Sequence, residues 1–293
     1  MSLKGLGQQG SLISFGRETR QSTASQMDCS KMSDTPNKQQ IYDLIIIVYA
    51  CDTIDKYKHQ IHKIEDTYEK IINKYDNIKI LYFLSENGPL KGTKFIRLDN
   101  VDDSYFSATL KQWYGLKYVY ENFDTKFAMC IGGDTYLNIK KLDQFLKQFN
   151  PNKNLYIGGH GDHREINNKK IYFHSGGPGF ILSKGCLKKV YAKICNVNEF
   201  INEWINLCND YCKYLIDACD VAMGYLASTN EINAQIINAH TDDLTLGFYH
   251  CNYKGRPCHR NKINMQDIIS CHLMTLDDFD DFTAILEKNN YFL

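Results

Sequence analysis

One carboxylate in the segment CIGGDTYLNI, residues 130–139, stands where it could bind a metal ion. Asp134 follows an apolar run and the flexible pair Gly132-Gly133. A carboxylate at the end of a strand, on backbone that can come close to a ligand, suits a hard divalent cation shared with a diphosphate. The alternative is a turn in which Asp134 caps the next element, and for this segment in isolation the turn is the simpler interpretation.

Glycines dominate a second segment, YFHSGGPGFILSKGCLKKV, at residues 172–190. Gly176, Gly177 and Gly179 allow the backbone to pass close to a ligand or to adopt positive φ, and Pro178 fixes the turn. A structural turn that joins a strand to a helix explains the same residues equally well. The segment therefore indicates close packing of the backbone, either against a ligand or within a structural turn.

Asp220 and His272 could act on a proton or on a metal ion. Asp220 lies in CDVAMGYL, residues 219–226, at the start of an apolar helix, where it is either a helix N-cap or a general base. His272 lies in SCHLMT, residues 270–275, an apolar context in which a hydrogen-bonded core histidine is the commoner outcome. Both interpretations stay open for each residue.

The elements that must position these residues alternate between strands and helices. Apolar runs predict strands, and helical spacing of apolar residues predicts amphipathic helices. Strands are predicted at residues 44–49, 78–84, 95–98, 127–131 and 155–158, and residues 180–183 form a further short apolar run. Helices are predicted at 61–75, 107–122, 140–149, 184–195 and 198–208, and helical spacing continues over 210–226 with an interruption near 217–220. Loops and short strands are expected at 240–272. Such repeated units predict an α/β fold with a mostly parallel sheet sandwiched by helices. Ligands bind beyond the carboxyl ends of such strands, which points to residues 51–53 and 132–136.

Composition limits the domain organisation and the function. The chain has 293 residues and is 43% hydrophobic, enough for one large α/β domain at residues 40–293. Residues 1–39 are polar and show no periodicity, so we expect a flexible tail. The 34 Lys and Arg residues balance 34 Asp and Glu residues, which argues against a nucleic-acid binder.

No apolar run approaches the roughly 18–20 residues that a membrane span needs. The first residues also lack the basic and apolar regions of a signal peptide. Without a visible signal or membrane anchor, a cytoplasmic or host-cytoplasmic location is expected.

Taken in order, the segments resemble the fringe and β1,3-glycosyltransferase family, most closely its core 1 galactosyltransferase branch. The resemblance runs from about residue 44 to about residue 286 and includes LIIIVYACDT, SATLKQWYGLKYVYENF, CIGGDTYLNI and LYIGG. YFHSGGPGFILSK resembles the family's SGGAGYVLS-type segment. DVAMG follows about forty residues later and resembles the EDVEMG-type segment, and ISCHLM resembles the SFH-type segment.

The resemblance implies a single GT-A-like, Rossmann-like domain that uses a UDP-sugar and a divalent cation, Mn²⁺ or Mg²⁺. It implies an inverting transfer of galactose, glucose or an N-acetylhexosamine to a hydroxyl group of a glycan or glycoprotein acceptor, with a β1,3 linkage expected. Such a transfer needs one general base for the acceptor hydroxyl group, and a cation that holds the departing diphosphate.

The resemblance also implies roles for individual residues. Asp220 matches the acid of the EDV-type motif and is the expected general base. Asp134 matches the last acid of the family's acidic triplet, and His272 matches the histidine that completes the metal site. The expected nucleotide-sugar-binding residues are Cys51, Asp52, Thr53, Lys111, Gly132, Gly133, Gly176 and Gly177.

Two departures from the family pattern support a competing hypothesis. Gly132 and Gly133 stand where the family has further acids, and Cys219 replaces the acid that often precedes the position of Asp220. Phosphate oxygens and water can still complete a site that Asp134 and His272 begin. The alternative is a catalytically degenerate homologue that acts as a binding module or chaperone, since the family includes a chaperone relative that lacks the acidic motif.

Overall fold

The computed structural model describes residues 40–159, 161–238, 247–256 and 265–289. The predicted tail, residues 1–39, lies outside this part of the chain. The strands are β1 (Ile41–Tyr49), β2 (Ile78–Leu84), β3 (Phe95–Arg97), β4 (Asp124–Gly132), β5 (Tyr136–Leu137), β6 (Leu155–Gly158), β7 (Gly161–Ile166), β8 (Lys169–His174), β9 (Phe180–Ser183), β10 (Gln235–Asn238), β11 (Phe248–Tyr249) and β12 (Ser270–Cys271). The helices are α1 (Asp55–Asp66), α2 (Tyr68–Ile72), α3 (Ser107–Asn122), α4 (Ile139–Leu146), α5 (Lys184–Ile194), α6 (Val197–Tyr211), α7 (Cys219–Ser228) and α8 (Leu276–Lys288).

Within the described residues, the main sheet has seven strands in the order β10-β6-β9-β4-β1-β2-β3. Parallel pairing joins β1 to both β2 and β4, β2 to β3, and β10 to β6. β9 runs antiparallel between β4 and β6. The predicted α/β class with a mostly parallel central sheet is confirmed.

The central strand β1 explains why the sheet lies between two layers of helices. Its residues 44–48 are buried, and alternate side chains point to opposite faces of the sheet. Leu44, Ile46 and Val48 pack in the core on the side of α1, α2, α4 and α8. Ile45 and Ile47 pack in the core on the side of α3, α5, α6 and α7. No helix in the described ranges combines the length and apolar character that a membrane span requires.

The helix predicted at residues 61–75 is two helices, α1 and α2, with a break at Thr67. Thr67 has φ −111° and ψ −108°, outside the helical region, and its hydroxyl group donates a hydrogen bond to the Lys63 carbonyl. Threonine side chains compete with the backbone for such bonds, so apolar spacing alone overestimates the length of the helix.

The β7–β8 hairpin was absent from the predicted elements. Asn167 and Asn168 form its two-residue turn with φ values of 50° and 57°, and asparagine tolerates these better than most residues. Ile166, Ile171 and Phe173 are buried on the side that packs against α7. Charged residues on the outer face of the hairpin hid this alternation from sequence inspection.

A small sheet brings the C-terminal segment to the turn after β4. β12 pairs parallel with β11 and antiparallel with β5, with Ser270 opposite Leu137 and Cys271 opposite Tyr136. His272 therefore lies next to Asp134, although 138 residues separate them in the chain (272 minus 134).

Candidate functional site

The glycine segment before β9, residues 175–179, is here called the strap. Three successive carbonyl groups of the strap accept hydrogen bonds from hydroxyl groups on three other segments. These bonds join Tyr49 Oη to Gly176 O at 3.1 Å, Thr135 Oγ1 to Gly177 O at 2.7 Å, and Ser270 Oγ to Pro178 O at 2.7 Å. The strap is thus attached to the end of β1, to the turn after β4 and to β12.

Close packing explains the glycines of the strap. A Cβ on Gly179 would lie 2.6 Å from Ile131 Cγ2, and the φ of Gly179 is +91°, a value that side-chain-bearing residues rarely adopt. A Cβ on Gly177 would lie 2.2 Å from Nδ1 of His272. Glycine at position 177 therefore lets the imidazole ring lie directly against the strap.

Asp134 and His272 form a pair beside the strap. Oδ1 of Asp134 lies 3.2 Å from Nε2 of His272, and Asp134 O accepts a hydrogen bond from Met274 N at 3.1 Å. Burial raises the pKa of Asp134, but the hydrogen bond and charge of His272 outweigh it and lower that pKa below its usual value. Leu273, between the two contacts, has a left-handed φ of 59°, which is strained for a leucine.

The observed contacts of Asp134 and His272 differ from the structural alternatives considered for them. The residue that caps α4 is Asn138, whose side chain accepts a hydrogen bond from Lys141 N. Nδ1 of His272 is buried and has no hydrogen-bond partner among the residues that the structure describes, unlike the core histidine of the alternative interpretation. Neither residue is thus explained by the local structure that was expected of it.

A second histidine, His250, lies behind His272 and was not identified from the sequence. The two rings are 5.2 Å apart between centroids, and Nδ1 of His250 is 2.7 Å from Oγ of Ser175 in the strap. His250 follows β11, a strand of two residues, which is too short to leave a periodic pattern in the sequence.

Asp220 also contacts the strap, from the first turn of α7. The N-cap is Ala218, so Asp220 is not the helix cap of the alternative interpretation. Its Oδ2 accepts a hydrogen bond from Gly176 N at 3.2 Å, and its Oδ1 accepts one from Val221 N at 2.9 Å. Burial raises the pKa of Asp220 above its usual value and outweighs these two bonds. A carboxylate with a raised pKa is a stronger base than an exposed one.

The side chain of Asp52 is committed to structure. The Arg97 guanidinium contacts both carboxylate oxygens of Asp52, and Leu90 N donates to Oδ2 at 2.9 Å. The Asp52 side chain is 0% exposed. This residue therefore braces the loop after β1, and its carboxylate does not face an open surface.

Lys111 and Thr53 brace the same loop through Asp103. Nζ of Lys111 donates to Ala50 O at 2.8 Å and to Asp103 Oδ1 at 2.5 Å, and the Thr53 hydroxyl group donates to Asp103 Oδ2. Lys111 is 4% exposed. Cys51 is half-buried, with its Sγ 3.6 Å from Thr53 Oγ1. These residues shape the wall next to Tyr49 but do not join the Asp134, His272 and Asp220 group.

Two protein groups are available for a cation at this site. Within the described ranges, no cluster of three or more His, Cys, Asp or Glu side chains is arranged to hold a metal ion. Asp134 and His272 alone place an oxygen and a nitrogen donor side by side. That donor pair fits a cation whose remaining ligands are phosphate oxygens and water.

The family model described as Fringe-like matches residues 43–249 of this chain. The matched range contains Asp134, the strap and Asp220, whereas His272 lies beyond it. The place of His272 in the site therefore depends on the geometry described above.

Among curated proteins, chondroitin sulfate synthase 3 from Homo sapiens is 30% identical over 129 residues, which are 40% of this chain and 14% of that protein. Chondroitin sulfate synthase 3 from Mus musculus is 33% identical over 107 residues, which are 34% of this chain and 12% of that protein. The match thus covers only a small part of the length of each relative.

Solved structures that are similar to this chain include three glycosyltransferases. The galactosyltransferase LgtC, with donor and acceptor sugar analogues, has a TM-score of 0.47 and 11% identity and covers 85% of this chain and 100% of that chain. A glycosyltransferase for the major capsid of PBCV-1 has a TM-score of 0.45 and 14% identity, covering 83% of this chain and 98% of that chain. GlyE from Streptococcus pneumoniae has a TM-score of 0.47 and 10% identity, covering 85% and 63%. Similarities at this level carry no weight for substrate or mechanism.

Proposed function

The chain belongs to the Fringe-like family, and from this membership we propose that it is an inverting glycosyltransferase. It would move a hexose from a UDP-sugar to a hydroxyl group of a glycan or glycoprotein acceptor. Galactose, glucose and N-acetylhexosamine are the candidate sugars, and a β1,3 linkage is the candidate product. One arrangement supports the proposal: a carboxylate of raised pKa, Asp220, contacts the same strap as the Asp134–His272 pair.

Asp220 is the general base of the proposed reaction. It takes the proton of the acceptor hydroxyl group while the acceptor oxygen bonds to the anomeric carbon of the sugar. The bond from that carbon to the diphosphate breaks, and UDP leaves with the bonding electron pair. Burial of Asp220 raises its pKa and strengthens it as a base.

Asp134 and His272 are the proposed ligands of Mn²⁺ or Mg²⁺. Such a cation, when bound, neutralises the charge that develops on the departing diphosphate. The lowered pKa of Asp134 keeps its carboxylate ionised at neutral pH, as a metal ligand must be. Gly132 and Gly133 add no carboxylate, so two protein donors leave positions for the diphosphate.

Replacement of the base tests the proposal directly. In the presence of Mn²⁺, the wild type should release UDP from at least one of UDP-galactose, UDP-glucose and UDP-N-acetylglucosamine. Asp220→Asn should lower that rate about 10²–10⁴-fold, because it cannot accept the proton, while the affinity for UDP changes less than about twofold. Asp217→Asn, an exposed carboxylate on the same segment, is the matched control and should keep the wild-type rate. Full turnover by Asp220→Asn would show that the base lies elsewhere.

The absence of acids at positions 132 and 133 favours one second candidate, a non-catalytic binding module or chaperone on the same fold. Such a protein would bind a glycan or glycoprotein but release no UDP from any of the three donors. The same donor assay therefore separates the two functions.

A further inference from the structure

The phenol group of Tyr49 lies between the two halves of the candidate site. Tyr49 is the last residue of β1, and its hydroxyl group donates to Gly176 O at 3.1 Å. A Cβ on Gly132 would lie 3.7 Å from this hydroxyl oxygen and 3.2 Å from Asp134 Oδ1. A Cβ on Gly176 would lie 3.5 Å from the same oxygen and 3.3 Å from Asp220 Cβ. One hydroxyl group thus borders the metal-donor side and the base side.

The backbone of Gly176 transmits the position of Tyr49 to Asp220. Gly176 O accepts from Tyr49 and from Gly179 N, the latter at 3.1 Å, while Gly176 N donates to Asp220 Oδ2 at 3.2 Å. In the described part of the chain, this amide is the one group outside α7 that donates a hydrogen bond to the Asp220 carboxylate. The direction of that carboxylate therefore depends on where the strap lies.

The protonation state of Tyr49 suits this arrangement. Burial, together with acidic neighbours that include Asp134 and Asp220, raises the pKa of Tyr49 well above its usual value. The phenol group therefore keeps its proton and acts as a donor to the carbonyl group. Tyr49 is half-buried, and the Gly176 carbonyl group supplies the hydrogen-bond partner of its polar end.

We propose that Tyr49 is a positioning residue for the general base: its hydroxyl group holds the strap so that the Gly176 amide orients the Asp220 carboxylate towards the acceptor hydroxyl group. This inference depends on the proposed function, because it assigns Tyr49 a role in that reaction. Tyr49 does not touch the reacting atoms, and its effect passes through Gly176 to Asp220.

Tyr49→Phe removes the hydroxyl group and keeps the ring. The expected result is a fall in kcat of about tenfold or more, with KM for the UDP-sugar within about twofold, because a misdirected base slows the chemical step and leaves donor binding intact. Tyr82→Phe is the matched control, since Tyr82 is fully buried and its hydroxyl group donates to Glu69 Oε2 at 2.6 Å, in contact with α2 rather than with the strap. That variant should keep the wild-type kcat.

A double-mutant comparison tests whether the effect passes through the base. In the Asp220→Asn background, Tyr49→Phe should cause no further loss of residual transfer, because the group that it positions is already inactive. An equal loss in both backgrounds would overturn the proposal. A rise in KM with unchanged kcat would overturn it as well, since Tyr49 would then serve donor binding.

A measurement that needs no turnover separates this inference from the proposed function. With ¹⁵N-glycine labelling, hydrogen exchange of the Gly176 amide should become about tenfold faster in Tyr49→Phe and stay unchanged in Tyr82→Phe. Unchanged exchange in Tyr49→Phe would refute the positioning role, whatever the activity. If the wild type shows no transferase activity but the Gly176 amide exchanges faster in Tyr49→Phe, the proposed function is refuted. The contact between Tyr49 and the strap is then still supported.

Discussion

Asp134 and His272 lie side by side, and the described part of the chain adds no third acidic, histidine or cysteine side chain to hold a divalent cation with them. Two donors leave most coordination positions to other ligands, and the oxygens of a diphosphate are suited to fill them. Affinity for the cation should then depend on whether the nucleotide is present. This dependence is a measurable property of the pair.

Mn²⁺ and UDP should bind cooperatively, each strengthening the binding of the other by the same factor. In calorimetric titrations we expect Mn²⁺ affinity to rise about tenfold or more when UDP is present, and this gain to disappear in Asp134→Asn and in His272→Ala. Asp143→Asn, a carboxylate on α4 that pairs with Lys147, is the control and should keep the coupling. Equal UDP affinity with and without Mn²⁺ in the wild type would rule out the shared site.

The family resemblance, rather than the residue types alone, selected Asp134, Asp220 and His272 as one site. The structure shows that they surround one strap, and that Lys111 and Asp52 instead brace the adjacent loop. Tyr49 was missed because its partner, Gly176, lies 127 residues away in the chain. A local pattern does not reveal a contact of that kind, although a polar-ended aromatic at the end of a buried strand was an available signal.

Helix α7 and the β7–β8 hairpin pack so closely that a glycine is required between them. A Cβ on Gly224 would lie 2.5 Å from the Tyr172 carbonyl oxygen and 2.5 Å from Phe173 Cβ. Because Asp220 lies on the same helix and Gly176 follows the same hairpin, this contact also sets the distance between base and strap.

Gly224→Ala should destabilise the protein in spite of the higher helix propensity of alanine. The propensity gain is about 1 kcal/mol, whereas forcing extra volume into a packed interface costs about 1–3 kcal/mol, and displacement of backbone lies at the upper end. Thermal unfolding should therefore show a lower Tm, together with a reduced kcat. Gly161→Ala on β7 is the control, since its Cβ would meet no atom closer than 3.5 Å. An unchanged or raised Tm in Gly224→Ala would contradict the described packing.

Most elements of the main sheet and its helices could be predicted because each carries its own periodic or apolar pattern. α3, for example, begins and ends where helical spacing predicts, at Ser107 and Asn122. The β7–β8 hairpin could not be predicted, because charged residues on its outer face hide its alternating pattern. The pairing of the small sheet could not be predicted either, because β5, β11 and β12 have two residues each and pair with segments that are distant in the chain. Those short elements place His272 at the site.

At the scale of the whole molecule, the formal charge is zero and several carboxylates are held in ionised form by partners. For Asp52, Asp103 and Asp278, burial raises the pKa, but hydrogen bonds and nearby positive charges outweigh it and lower the pKa below its usual value. A carboxyl group whose folded-state pKa is lowered stabilises the fold above its unfolded-state pKa. That contribution is lost as the pH falls through the folded-state pKa.

Asp52→Asn should therefore destabilise the protein most at neutral pH. Removal of one partner of the buried pair with Arg97 should cost on the order of 3 kcal/mol of unfolding free energy at pH 7, and the difference from the wild type should shrink below about pH 4. Denaturant unfolding at a series of pH values measures both effects. Asp55→Asn, whose side chain is 85% exposed, should differ little from the wild type at any pH. If the difference in unfolding free energy between Asp52→Asn and the wild type grows as the pH falls, the pKa of Asp52 is not lowered in the folded state.

The strap continues directly into β9, the antiparallel strand that joins β4 to β6 in the middle of the main sheet. Movement of the strap away from the site would therefore require β9 to separate from its neighbouring strands, which costs far more free energy than moving a surface loop. Asp220 and the imidazole ring of His272 both contact the strap. In an enzyme built this way, the wall that carries the reacting groups stays still through a catalytic cycle. Movements that admit an acceptor or release a product would then have to come from segments other than the strap.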